Sequence, residues 1–153
     1  VYRFRIVRVG RGRTAWANTA VADYTKRLKR HGRVDEVLIK PVAFKGDVDA
    51  VRAAEAERLL KHVGARDVLV ALDERGEGPT SEAFAAMVSD LNLEGTVVFV
   101  IGGAYGLDPG VRSAARRVVK LSDAVLNHEV ARVVLFEQVY RAVTLLEGIP
   151  YHH

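Results

Sequence analysis

The chain has 153 residues, 49% hydrophobic and 27% charged, enough for one domain with a real core. No apolar run approaches the ~20 residues of a membrane helix, and the absence of cysteine excludes disulfides, thiolate metal sites and cysteine nucleophiles, so the cytoplasm is the expected compartment. The net charge of +4, from 23 Lys+Arg against 19 Asp+Glu, is compatible with a polyanionic partner without requiring one.

Apolar periodicity alternates between short strand-like runs and longer helix-like ones. Tyr2–Val9 reads as a strand ending at Gly10, not as a signal peptide. Ala15–Arg30 predicts a helix, with Trp16, Ala20, Tyr24 and Leu28 at four-residue spacing. Val34–Pro41 is a second strand, and Val48–His62 a second helix capped by Asp47. Asp67–Leu72 is a buried strand, followed by a loop over Asp73–Pro79 and a helix from Thr80 or Ser81 to about Asn92. Thr96–Ile101 is the most strongly β segment. Asp108-Pro109 gives a capping carboxylate and a proline at the first helical position, so a short helix starts there. Arg117–Leu121 is a fifth strand, and one long helix runs from about Glu129 to Leu146. Strands alternating with helices predict a single α/β domain over 1–153, with a mainly parallel sheet covered on both faces.

The last helix is apolar nearly all round: Val130, Val133, Val134, Leu135, Phe136, Val139, Val143, Leu145 and Leu146 point in most directions. A surface helix needs one apolar stripe. The sheet can cover one side, and a second subunit is a natural cover for the other, so a homodimer is expected. The alternative is a helix threaded through its own core.

In open parallel sheets, ligands bind beyond the carboxyl ends of the strands. Three loops leave such ends: Leu72–Gly76, Gly102–Leu107 and Leu121–Leu126. The glycines at 102, 103 and 106 allow backbone to approach a ligand, although they serve a tight turn equally well. Their spacing does not match the G-x-G-x-x-G fingerprint, and only one helix follows Asp123, which argues against a dinucleotide site. Asp73 and Glu74 have no histidine cluster near them in sequence; as loop carboxylates beside Arg75 they read as solvated, and no metal is expected. His128 opens the last helix as a substrate contact, a proton acceptor or a cap. Arg132, Glu137 and Arg141 on that apolar helix must face a site, a partner or one another. Tyr151-His152 at the tail could stack on a base and bond to it, or be a frayed end.

Several pieces in order carry a resemblance. They are Val7-Arg8-Val9-Gly10, Leu72–Gly76, Ser81-Glu82 with Phe84-Ala85, Phe99–Leu107, and His128-x-x-x-Arg132-Val133 through Glu137–Ala142 to Tyr151-His152. The chain resembles, over its whole length, the ribosomal RNA large-subunit methyltransferase H family of the SPOUT superfamily. The resemblance implies a parallel-sheet SPOUT methyltransferase domain with a C-terminal trefoil knot, dimerising through the last helix. It implies S-adenosyl-L-methionine as cofactor, held at Leu72, at Gly102, Gly103 and Gly106, and at Leu121, Ser122, Asp123, Ala124, Val125 and Leu126. The substrate it implies is a pseudouridine of large-subunit rRNA, methylated at N3 on the assembled ribosome. His128, Arg132, Tyr151 and His152 are then the candidate catalytic residues: His128, Tyr151 and His152 for holding the base and handling its proton, Arg132, with Arg141, for holding phosphate or the developing negative charge. Other readings are a SPOUT enzyme of another RNA, such as tRNA, and a non-catalytic RNA- or ribosome-binding module. The chain departs from the family pattern at Asn127 (often proline), at Ala104-Tyr105 (often Pro-Glu or a polar pair) and at His153 (usually Lys or Arg).

Overall fold

The computed structural model describes all of residues 1–153. In chain order the elements are β1 (Tyr2–Val9), α1 (Ala15–Leu28), β2 (Gly32–Ile39), α2 (Val48–Leu60), β3 (Val68–Glu77), α3 (Ser81–Glu94), β4 (Val97–Ile101), α4 (Pro109–Ala114), β5 (Arg117–Val119) and α5 (His128–Glu147). The strands form one sheet in the order β2-β1-β4-β3-β5, and every pairing is parallel.

Alternate residues of the central strands feed two cores, as a doubly covered parallel sheet requires. Phe4, Ile6, Val70, Phe99 and Val119 pack with α1, α3 and α5 on one face. Val7, Val9, Ala71, Val98 and Val100 pack with α2 and α4 on the other. No helix is long and apolar enough to cross a membrane.

The expected caps are present. Asp47 accepts hydrogen bonds from the Asp49 and Ala50 amides, Thr80 from Ala83, and Asp108 from Gly110. Several boundaries differ from expectation, two of them with a clear physical reason. The predicted loop after Leu72 is partly strand: β3 continues to Glu77 through a bulge, so that Leu72 and Glu77 both lie opposite Val119. The Lys120 amide donates to the Glu77 carbonyl, and Arg117 pairs with the Glu77 carboxylate at 2.8 Å, which anchors the returning strand. β2 begins at Gly32, opposite Tyr2, where any Cβ would collide with the Tyr2 carbonyl.

α5 is joined to the sheet by buried charge. Arg132, 3% exposed, donates to both oxygens of Glu36 on β2 at 2.6 and 2.7 Å, to Asn18 on α1 at 2.8 Å and to Glu129 at 3.2 Å. Arg8 on β1 reaches the same two glutamates at 3.0 and 3.3 Å. Two cations and two anions are thus balanced, with bidentate geometry at Glu36.

Removing Arg132 leaves two acids with too few donors. Arg132→Ala should cost about 3–5 kcal/mol in urea denaturation, and Arg132→Lys should recover little of it because an ammonium cannot bind bidentately. A loss below about 1 kcal/mol would mean that water replaces the network.

Candidate active site

The carboxyl ends of β3, β4 and β5 open into a cavity of about 500 Å³, within the ordinary range for a small-molecule site. Leu72, Ile101 and Val119 floor it, and the loops that follow these strands wall it. The three loops selected from the sequence therefore converge on one space.

The Gly102–Leu107 loop is folded on itself. Gly103 and Gly106 form an isolated antiparallel bridge, and the Gly106 amide donates to the Gly103 carbonyl at 3.1 Å. Gly106 sits at φ +80°, in the left-handed region. A Cβ at Gly102 would lie 2.7 Å from the Gly106 carbonyl carbon, so only glycine fits. Behind the loop lies Glu55 of α2, 4% exposed. Its Oε2 accepts from the Val42 amide at 3.0 Å, while Oε1 has no partner and lies 3.3 Å from where a Gly103 Cβ would be. Arg52, one turn earlier, donates to the Tyr105 carbonyl at 2.7 Å. Sequence reasoning missed both. The signal was an acid at position 55 on the same helical stripe as Val51 and Leu59, both buried.

Asp73 corrects an expectation. Its side chain is 6% exposed and not solvated, because Arg112 of α4 pairs with it at 3.3 Å and the Arg75 amide donates to it at 2.9 Å. On the third loop, Leu121, Ser122, Ala124, Val125 and Leu126 line the cavity. Asp123 does not: its carboxylate is 93% exposed, and the Lys120 ammonium beside it at 2.6 Å holds its carboxyl below the usual range.

His128 lines the cavity where α5 begins, with Nε2 3.9 Å from Glu129. Asn127, the first departure from the family pattern, caps this helix by accepting from the Glu129 amide at 2.9 Å. Arg132 does not reach the cavity. All three of its guanidinium nitrogens are committed to the buried network that joins α5 to β2 and α1.

Tyr151 and His152 lie elsewhere. The tail folds back along α5, where the Tyr151 hydroxyl donates to Glu137 at 3.0 Å. Glu137 also accepts two bonds from Arg141, at 3.1 and 2.8 Å. Arg141 Nη1 stands 2.9 Å from His152 Nδ1, and His152 Nε2 stands 2.8 Å from Glu82 at the start of α3. Because arginine only donates, Nδ1 must accept, so the proton sits on Nε2 and points at Glu82. Burial, then hydrogen bonding with Tyr24 and Glu137, pushes the Tyr151 phenol far above its usual range, so it is a donor and not a base at neutral pH. Burial alone would raise Glu137, but the bonds from Arg141 and Tyr151 outweigh it and hold the carboxyl below the usual range. Tyr151 is anchored nine residues beyond His128, about 14 Å along the helix at ~1.5 Å per residue. One chain does not bring the tail to the cavity.

A family model described as "Predicted SPOUT methyltransferase" matches residues 2–152. This chain belongs to the SPOUT methyltransferase family. It is 41% identical over 151 residues to the ribosomal RNA large subunit methyltransferase H of Nitratidesulfovibrio vulgaris (strain DP4), covering 97% of each chain. The same name is carried by a protein of the Miyazaki F strain, 43% identical with 97% of each covered, and by one of Geobacter sp. (strain M21), 39% identical with 99% of each covered. A solved structure from Haemophilus influenzae Rd KW20, described as a probable methylase family protein, shares the fold at TM-score 0.53 and 15% identity, covering 99% of this chain and 72% of that one.

In this SPOUT chain the docked tail has a pH signature. Glu137 is more acidic folded than unfolded, so its contribution is present above the unfolded value near 4.5 and is lost as pH falls through the folded value. The stability gap between wild type and Glu137→Gln should be constant at neutral pH and close below about pH 4.5. A gap that persists in acid would show that Glu137 is not held by charge.

Proposed function

We propose that this chain is a methyltransferase that moves a methyl group from S-adenosyl-L-methionine to N3 of a pseudouridine in large-subunit (23S) rRNA, on assembled ribosomes in the cytoplasm, as a homodimer. The observation that carries the reading is the extent of the match: relatives named ribosomal RNA large subunit methyltransferase H align over 97% or more of both chains.

The cavity suits the donor. Leu72, Ile101, Leu121 and Leu126 offer apolar walls for a purine, and the glycines at 102, 103 and 106 leave backbone groups accessible. The residues that would hold the donor are Leu72, Gly102, Gly103, Gly106 and the lining members of Leu121–Leu126. When bound, it supplies an electrophilic methyl carbon, so the protein's work is alignment and removal of the N3 proton. His128 is the titratable ring at the cavity and the candidate to orient the base or take that proton. Arg132 acts through the helix: pinned to Glu36 and Asn18, it keeps His128 at the mouth. Tyr151 stays protonated, so its hydroxyl is able to donate to a carbonyl of the base.

For Tyr151 and His152 to meet substrate, the tail must come from a second copy, giving a composite site. Three features support the dimer. Val130 and Leu146 of α5 are exposed, and Val134 and Leu145 on the same helix are only partly covered. The accessible surface, 8351 Å², exceeds the roughly 7,600 Å² usual for a monomer of this mass. The tail lies too far from its own His128. A C-terminal trefoil knot is also part of the proposal.

Transfer of labelled methyl to ribosomes lacking the modification, with mapping of the labelled nucleotide, tests the reading. Label on a large-subunit pseudouridine is expected. Transfer only to tRNA would reassign the substrate, and failure to bind the donor by calorimetry would leave a non-catalytic module. Truncation after Pro150 should abolish transfer while sparing donor binding; full activity would sink the composite site. With little surface for reading sequence, the enzyme should use naked rRNA fragments poorly and assembled particles well, and equal rates would contradict recognition of a shaped ribosomal site.

A further inference from the structure

We propose that Arg11, Arg13 and Lys40, together with Trp16, form a docking surface that holds rRNA phosphates and one unstacked base beside the cavity mouth; the proposal rests on the rRNA reading above and names residues that reading does not use.

The turn after β1 is built, not loose. The Gly10 amide donates to the Ile39 carbonyl at 3.0 Å, and Asn18 Nδ2 donates to the Gly12 carbonyl at 3.1 Å. Gly12 sits at φ +71°, and a Cβ there would lie 2.8 Å from Leu38 Cδ2, so the turn is seated on Leu38. This bracing presents Arg11 and Arg13 to solvent, with Lys40 beside them at the end of the paired strand β2. Trp16, 56% exposed, opens α1 a few residues on.

None of these three cations has an ion pair or a side-chain hydrogen bond. Two carboxylates of the adjoining elements are already paired: Glu36 and Glu129 are neutralised by Arg8 and Arg132. Asp23 of α1 pairs with Arg27. The local field is therefore uncompensated and positive. The turn lies against the start of α5: a Cβ at Gly10 would lie 3.8 Å from Glu129, whose neighbour His128 lines the cavity.

Clustered unpaired cations beside an exposed indole fit an RNA strand, with phosphates on the cations and a base stacked on the ring. A second copy of this chain fits poorly, because a two-fold contact through this patch would set like charges against each other.

The test uses the full-length protein and ribosomes lacking the modification. For Arg11→Gln/Arg13→Gln, the slope of log affinity against log salt should fall by about two, one per cation. Trp16→Ala should raise KM for ribosomes roughly 5–150-fold, from a stacking contribution of about 1–3 kcal/mol, with Trp16→Phe close to wild type. In every variant kcat at saturation, donor affinity and sedimentation should match wild type. Unchanged KM and salt slope would overturn the proposal. So would a Trp16→Ala protein whose KM change tracks loss of the dimer, which would make the patch an interface between copies. If wild type itself neither binds nor methylates ribosomes, the functional reading falls first; if wild type methylates and the variants equal it, only this surface falls.

Discussion

The charge-balanced cluster of Arg8, Glu36, Glu129 and Arg132 is the constraint on which the arrangement of this molecule depends. It ties β1, β2 and α5 together, with α1 added through Asn18. An apolar contact there would tolerate sliding and rotation of the helix; bidentate hydrogen bonds between planar groups do not. The start of α5, and with it His128, is therefore aimed at the cavity by chemistry buried just behind it. Hydrophobic packing along the rest of α5 provides adhesion, and the ionic cluster provides register.

The molecule divides its tasks between backbone and side chains. The cavity is shaped by loops whose form is fixed by glycine and by hidden supports: Glu55 and Arg52 behind the Gly102–Leu107 loop, Arg112 behind Asp73. The tail instead presents side chains, and these are already engaged. Glu137 and Arg141 hold Tyr151, while Glu82 and Arg141 hold His152 in one tautomer.

Much of this was legible in the sequence because it rests on local rules. Alternating strand and helix periods gave the parallel sheet, and Asp47, Thr80 and Asp108 marked helix starts as caps must. The three loops facing the cavity followed from where ligands bind on such sheets. What escaped was set by partners far away in the chain. Asp73 looked solvated because nothing in sequence tells that Arg112 comes to cover it. The burial of Arg132 was not legible because its partner Glu36 lies 96 residues away. β3 looked finished at Leu72 because its bulged extension needs β5 as template. Tyr151 and His152 were readable as functional types, but their docking on Glu137 and Glu82 depends on how the tail turns back.

The pairing of Arg8 with Glu129 spans 121 residues, and this has a kinetic meaning. During synthesis at ~5–20 residues per second, the β1 arginine waits roughly 6–24 s for its second carboxylate. For most of that interval the middle of the sheet is also incomplete, because β1 needs β4, which ends at Ile101, on its other side. The nascent chain therefore holds a strand with one open edge until β4 is made, and a half-neutralised cation until the last helix exists. Completion of the fold waits for the end of the chain, and growing chains are the form most in need of protection from association.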